Sequence, residues 1–127
     1  MAAIYYVSLK SLGANGYMEH VVSSAEGATV IAFTGDVDLQ TSPDARKALL
    51  AIVGNGTGIL VNLAGVGYID SSGVASLVEC LQSAKKSGQK MALVSVSEGA
   101  LRVLQLARLD RVFKICDTVD EGVAAVA

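Results

Sequence analysis

Apolar residues recur along this chain with two different spacings. Dense runs at 18–24, 29–34, 59–63, 91–96 and 112–116 have strand length and strand composition. Between them, apolar positions fall three and four apart, the period of a helix with one buried face. Ala45, Ala48, Leu49, Ile52 and Val53 form one such face. Val74, Leu77, Val78, Leu81 and Ala84 form a second, and Leu101, Leu104 and Ala107 a third. The local punctuation agrees with this division. Ser42 as N-cap, Pro43 at the first helical position and Asp44 on the positive dipole end announce the first helix, and Gly54-Asn55-Gly56 ends it. Lys85, Lys86 and Gly88 close the second helix, Ser97 caps the third, and Thr118-Val119-Asp120-Glu121 fits a capping box that opens a fourth.

The first two strands are joined only by Glu26-Gly27, which predicts an antiparallel hairpin. After it, strand and helix alternate, which implies parallel strands linked by right-handed crossovers. The expected architecture is a single α/β domain over residues 18–127, with a mixed sheet packed with about four helices. Residues 1–17 stand apart. Ile4-Tyr5-Tyr6-Val7-Ser8-Leu9 has strand composition and Gly13-Ala14-Asn15-Gly16 reads as a turn. An added edge strand, an arm that touches a partner and a start-site extension all fit; an extension pairing at a sheet edge is favoured.

Composition narrows the function classes. With 127 residues, 52% of them hydrophobic, the chain can bury a real core. Ten basic against twelve acidic residues leave a net charge of -2, without the basic stripe of a nucleic-acid binder. Cys80 and Cys116 lie in apolar segments without metal-site spacing, as buried thiols of a reducing compartment do. No apolar run is long enough to span a bilayer and the start lacks a basic signal-peptide region, so a soluble, cytoplasmic protein is expected.

The chemistry concentrates where the run at 59–63 leads into the second helix, at Asp70-Ser71-Ser72-Gly73. Helix starts expose unpaired N–H groups and a positive dipole end, which Ser and Asp satisfy and which attract phosphate. Composition alone favours a purely structural helix start; the alternative is a hydroxyl that a kinase modifies. Gly35-Asp36-Val37-Asp38-Leu39 reads as a loop carrying two carboxylates, too few for a metal site. Enzymatic readings are weak: His20 is the only histidine, no Gly-x-Ser-x-Gly elbow occurs, and Gly54-Asn55-Gly56-Thr57-Gly58 precedes a strand and lacks a P-loop ending. Arg102, Arg108, Arg111 and Lys114 form either a solvated face or a docking rim for an acidic partner.

Five blocks together carry a family resemblance. They are Val30-Ile31-Ala32-Phe33-Thr34-Gly35-Asp36-Val37-Asp38, Ile59-Leu60-Val61-Asn62-Leu63-Ala64-Gly65-Val66, Tyr68-Ile69-Asp70-Ser71-Ser72-Gly73-Val74, Leu101-Arg102-Val103-Leu104 and Leu109-Asp110-Arg111-Val112-Phe113. The sequence resembles STAS domains of the anti-sigma factor antagonist type. The resemblance implies that Ser71 is the phosphoacceptor, that Asp70 shapes the site and that Ser72 and Gly73 complete the helix start. Asp36 and Asp38 match an acidic loop that contributes to the partner surface. The implied partners are an anti-sigma factor that doubles as a serine kinase of the histidine-kinase-like ATPase fold, and a serine phosphatase. The protein itself is then a monomer or weak dimer without catalysis, cofactor or metal. A non-catalytic scaffold or accessory subunit of a signalling or lipid-transport complex is the alternative. Two positions depart from the family pattern: Asn62 replaces a common Asp, and Arg108 replaces the Gly before Leu-Asp-Arg.

Overall fold

The computed structural model describes residues 9–13 and 16–127. The expected strand at 4–9 lies almost wholly outside the described residues, as do Ala14 and Asn15 of the expected turn. In chain order the elements are β1 (Leu9–Gly13), β2 (Gly16–Ala25), β3 (Ala28–Val37), α1 (Ser42–Ile52), β4 (Ile59–Ile69), α2 (Ser71–Lys86), β5 (Met91–Val94), α3 (Glu98–Leu106), a 3-10 turn (Leu109–Arg111), β6 (Lys114–Cys116) and α4 (Val119–Val126).

The strands form one sheet in the order β1-β2-β3-β4-β5-β6, antiparallel as far as β3 and parallel beyond it. β1 adds an edge strand to the hairpin, with Gly13 opposite Gly16. The β2–β3 connection is as tight as expected: Glu26 and Gly27 both have positive φ, the geometry of a type I′ turn.

Each parallel crossover advances by one strand in the same direction. Crossovers of one hand therefore put α1, α2 and α3 on the same face of the sheet. Side-chain alternation divides the core accordingly. Ile31, Phe33, Ile59, Val61, Leu63 and Leu93 pack against these three helices. Val30, Leu60, Ala92, Val94 and Cys116 face the other way, under Val126 of α4. Ile59, Leu60 and Val61 are fully buried because both faces of β4 are covered.

Several local expectations are corrected. The N-cap of α1 is Thr41, one residue earlier than Ser42, because Ser42 N–H is already held by the Asp38 carbonyl at 2.7 Å. Residues 35–37 are strand, not loop: β3 continues through Asp36 to Val37, and β4 continues past Leu63 to Ile69, so the two pair to their ends. The pairing survives two register irregularities, between Ala32 and Thr34 and between Gly35 and Asp36. At the first, Asn62 turns its carboxamide oxygen to Ala64 N–H at 2.9 Å, which gives this departure from the family pattern a structural task. Ala107, expected to face inward, is an exposed C-cap; Ala100 takes the buried place beside Leu104. In the box that opens α4, Thr118 Oγ1 accepts from Glu121 N–H, but Glu121 reaches back to Asp117 N–H instead of to the cap residue.

Candidate functional site

The extended ends of β3 and β4 create the site. They carry Val37 and Ile69 side by side to one end of the sheet, where Asp70 N–H bonds the Val37 carbonyl at 3.2 Å. Asp70 is the N-cap of α2. Its Oδ1 accepts from Ser72 N–H at 2.9 Å, Gly73 N–H at 3.2 Å and the Ser72 hydroxyl at 2.5 Å. Partial burial opposes ionisation of Asp70. The bonds from the Ser72 hydroxyl and from the N–H groups of Gly73, Ser72 and Leu39 outweigh it and hold the carboxyl below its ordinary value. At neutral pH the site therefore carries a fixed negative charge.

The two serines are not equivalent. Ser72 is half-buried and its hydroxyl is committed to Asp70. Ser71, at the first helical position, is exposed and makes no side-chain hydrogen bond among the described residues.

Gly73 is buried in the first turn of α2 and so offers no surface to a partner. A Cβ there would lie 2.7 Å from the Val37 carbonyl oxygen, 2.7 Å from Ile69 Cγ1 and 2.8 Å from Val37 Cγ1. Only glycine lets the first turn of α2 sit this close to the two strand ends, and that approach sets where Ser71 emerges.

Asp38 is corrected as a partner residue. It is 3% exposed, and so cannot offer its carboxylate to a partner. Its Oδ1 accepts from Gln40 N–H at 3.0 Å and Thr41 N–H at 3.1 Å, the bonding of an Asx turn. The Thr41 hydroxyl accepts from Asp38 N–H at 2.9 Å and donates to the Asp36 carbonyl at 2.8 Å. The loop is thus braced from within, and Asp38 Oδ2 is left buried without a partner. Asp36 is half-buried on β3, opposite Tyr68. Of the two loop carboxylates, it alone remains near the surface at this end.

Two large side chains here carry no signal in the sequence. Leu39 is 69% exposed in the loop whose N–H reaches Asp70, and Tyr68 is 48% exposed next to the strand end. Large apolar groups left in water beside a charged turn are a contact-surface signal, and only exposure could reveal it. A groove of about 320 Å³ runs from Ser72 between α1 and α2, past Ser42 and Ser76. It ends at Arg46 and Glu79, which pair through a two-pronged contact between guanidinium and carboxylate.

Other candidate groups are silent. Cys80 is buried, and burial together with the nearby Glu79 charge pushes its thiol up to about 11, so it is no nucleophile at neutral pH. In the segment Gly54-Asn55-Gly56-Thr57-Gly58, Gly54 N–H is taken by Gln89 Oε1 at 2.7 Å and Thr57 N–H by Asn55 Oδ1 at 3.1 Å. Those groups are spent on the fold, as a helix stop requires. No cluster of metal-ligating side chains occurs among the described residues.

The molecule is thus a six-stranded mixed sheet with the Asp70-Ser71-Ser72-Gly73 turn at the end of β4. The STAS domain profile matches residues 20–122. This chain belongs to the STAS domain family. Among its relatives, a candidate anti-sigma factor antagonist of Thermotoga maritima is 43% identical over 68 residues, covering 54% of this chain and 60% of that one. The anti-sigma-B factor antagonist of Bacillus subtilis is 26% identical over 102 residues, covering 80% of this chain and 94% of that one. The match thus spans less than two thirds of the first relative and nearly all of the second. The crystal structure of an anti-sigma factor antagonist from Mycobacterium paratuberculosis superposes with a TM-score of 0.80 at 22% identity, over 91% of this chain and 97% of that one. At that identity the likeness concerns the STAS fold. Within this STAS domain, Arg108 has φ 60, a left-handed conformation that favours glycine. The family's glycine thus has a backbone reason, and Arg108 holds the same turn under strain. No described helix is long and apolar enough to cross a membrane.

Proposed function

We propose that this STAS domain is a phospho-regulated anti-sigma factor antagonist. Unphosphorylated, it binds an anti-sigma factor that is also a serine kinase of the histidine-kinase-like ATPase fold; phosphorylated on Ser71, it is released, and a serine phosphatase resets it. The observation that carries the reading is the unequal state of the two hydroxyls: Ser71 is exposed and uncommitted, whereas Ser72 is bound to Asp70. Transfer would join Ser71 Oγ to the γ-phosphorus of ATP and break the bond to the β-phosphate oxygen. The hydroxyl proton goes to a base on the kinase, and ADP leaves.

The local electrostatics support a switch that acts by contact and not by refolding. A phosphoserine adds about −1.5 to −2 charges at neutral pH. The N–H groups of Ser72 and Gly73 that could cradle it already serve Asp70, which stays ionised beside it. Near contact, each pair of unit charges costs about 1 kcal/mol in water and more where a docked partner excludes water. The phosphate therefore projects into the partner surface that Asp36, Leu39 and Tyr68 surround.

The test is phosphorylation by the kinase recovered with this chain, read by phosphosite mass spectrometry. Ser71→Ala should abolish incorporation while Ser72→Ala retains it. Labelling of Ser71→Ala at the wild-type level would remove the assignment. Ser71→Glu should weaken binding of the unmodified partner; unchanged affinity would refute the charge mechanism.

A further inference from the structure

We propose that a groove at the far end of α2 binds a small anionic amphiphile, a carboxylate or sulfonate on an apolar tail. It encloses about 360 Å³ between the last turn of α2, the start of β5 and the start of β6. At roughly 30 Å³ per heavy atom this admits a ligand of about a dozen atoms. Leu81 and Lys85 lie 10 and 14 residues along α2 from Ser71, about 15–21 Å at ~1.5 Å per residue, so a ligand here does not touch the proposed phosphorylation site.

Two features of the groove point to this ligand class. The first is the floor: Leu81 and Met91 are the walls of the core reaching the surface, and Val112, 50% exposed, stands uncovered beside them. A β-branched side chain left in water next to an apolar floor gains from any tail that covers it. The second is the rim. Lys85 of α2, Lys90 of the connection before β5 and Lys114 of β6 come to one opening, and none of the side chains lining it is acidic.

The chain as a whole carries a net charge of -2, so this local concentration of ammonium groups runs against its overall sign. Among the described residues neither Lys85 nor Lys114 has a carboxylate partner, whereas Lys90 Nζ already donates to a main-chain oxygen of Ala127, the last residue of the sequence, at 3.1 Å. The like charges of Lys85 and Lys114 repel one another, and an anion seated between them relieves that repulsion while its tail lies on Leu81, Met91 and Val112. Gln89 takes no part in recognition: both ends of its amide are bound to Gly54, Asn55 and Thr57, which makes it a fixed wall.

Decanoate is the probe, titrated into the isotopically labelled chain and followed by amide chemical shifts. The expected result is saturable one-to-one binding with shifts centred on Lys85, Lys90, Met91, Val112 and Lys114. Because the lysines are exposed, Lys85→Glu with Lys114→Glu should keep the fold, checked by thermal melting, yet weaken decanoate about tenfold or more. Decyltrimethylammonium, with the same tail and the opposite charge, should not bind. Equal binding by the double variant, equal binding of the cationic analogue, non-saturating shifts, or shifts centred elsewhere would each overturn the proposal.

Discussion

Replacing Gly73 by alanine tests whether a close approach of helix to strand ends sets the site. The added methyl would meet the Val37 carbonyl oxygen and two core methyl or methylene groups at 2.7–2.8 Å, closer than such contacts occur. The carbonyl cannot rotate away, because Asp70 N–H is bonded to it and Val37 is held in register with Ile69 at the end of β3. Overpacking of this kind costs roughly 1–3 kcal/mol, and three simultaneous contacts put the cost near the upper end. Alanine returns up to about 1 kcal/mol of helix propensity, less in the first turn than in the interior. The expected net loss is about 2 kcal/mol, or roughly 6–10 °C in Tm for a domain of this size. Urea and thermal melts of the variant measure it. Gly67→Ala is the control, since its nearest neighbour would be Asp36 Oδ1 at 3.7 Å and its stability should hardly change. A Gly73→Ala protein as stable as wild type would refute the close-approach account.

Three further outcomes are expected. Arg108→Gly relieves a left-handed φ of 60 on an exposed side chain and should raise stability by about 1 kcal/mol in a urea melt; a loss would mean that the Arg108 side chain holds the turn. Asp70 has a lowered folded-state pKa, so its contribution is present above the ordinary carboxylate value of 3.8 and is lost as pH falls through the lower folded one. Asp70→Asn, which keeps the cap, should flatten stability against pH in that range, and an unchanged acid limb would contradict the assignment. His20 is 5% exposed with Nδ1 unpartnered; burial lowers its pKa from 6.5, only partly offset by Asp44. The unfolded chain therefore takes up the proton first, and stability should fall as pH drops below 6.5 until the folded value is reached. His20→Leu should remove that slope in melts between pH 7 and 5, and persistence of the slope would point to another group.

Legibility in the sequence followed the range of the interaction concerned. The order of elements, the antiparallel hairpin, the cap at Ser97 and the stop at Gly54 rest on residues within a turn of each other, and they read correctly. The N-cap of α1 was displaced by one residue because a carbonyl from the preceding loop claimed the Ser42 N–H. The lengths of β3 and β4 were underestimated since Gly35, Gly65 and Gly67 look like breakers, whereas parallel pairing between the two strands carries both past them.

By itself the sequence determined an α/β domain whose second crossover helix opens on Asp70-Ser71-Ser72-Gly73, because capping and hydrophobic period are properties of neighbouring residues. Tertiary structure decided which of those side chains face water. It withdrew Asp38 and Gly73 into the packing, tied Ser72 to Asp70 and left Ser71 free with Leu39 and Tyr68 exposed nearby. It also gathered Lys85, Lys90 and Lys114 from distant positions onto one rim. Solvent exclusion depends on what the rest of the chain places over a residue, and no local pattern contains that information.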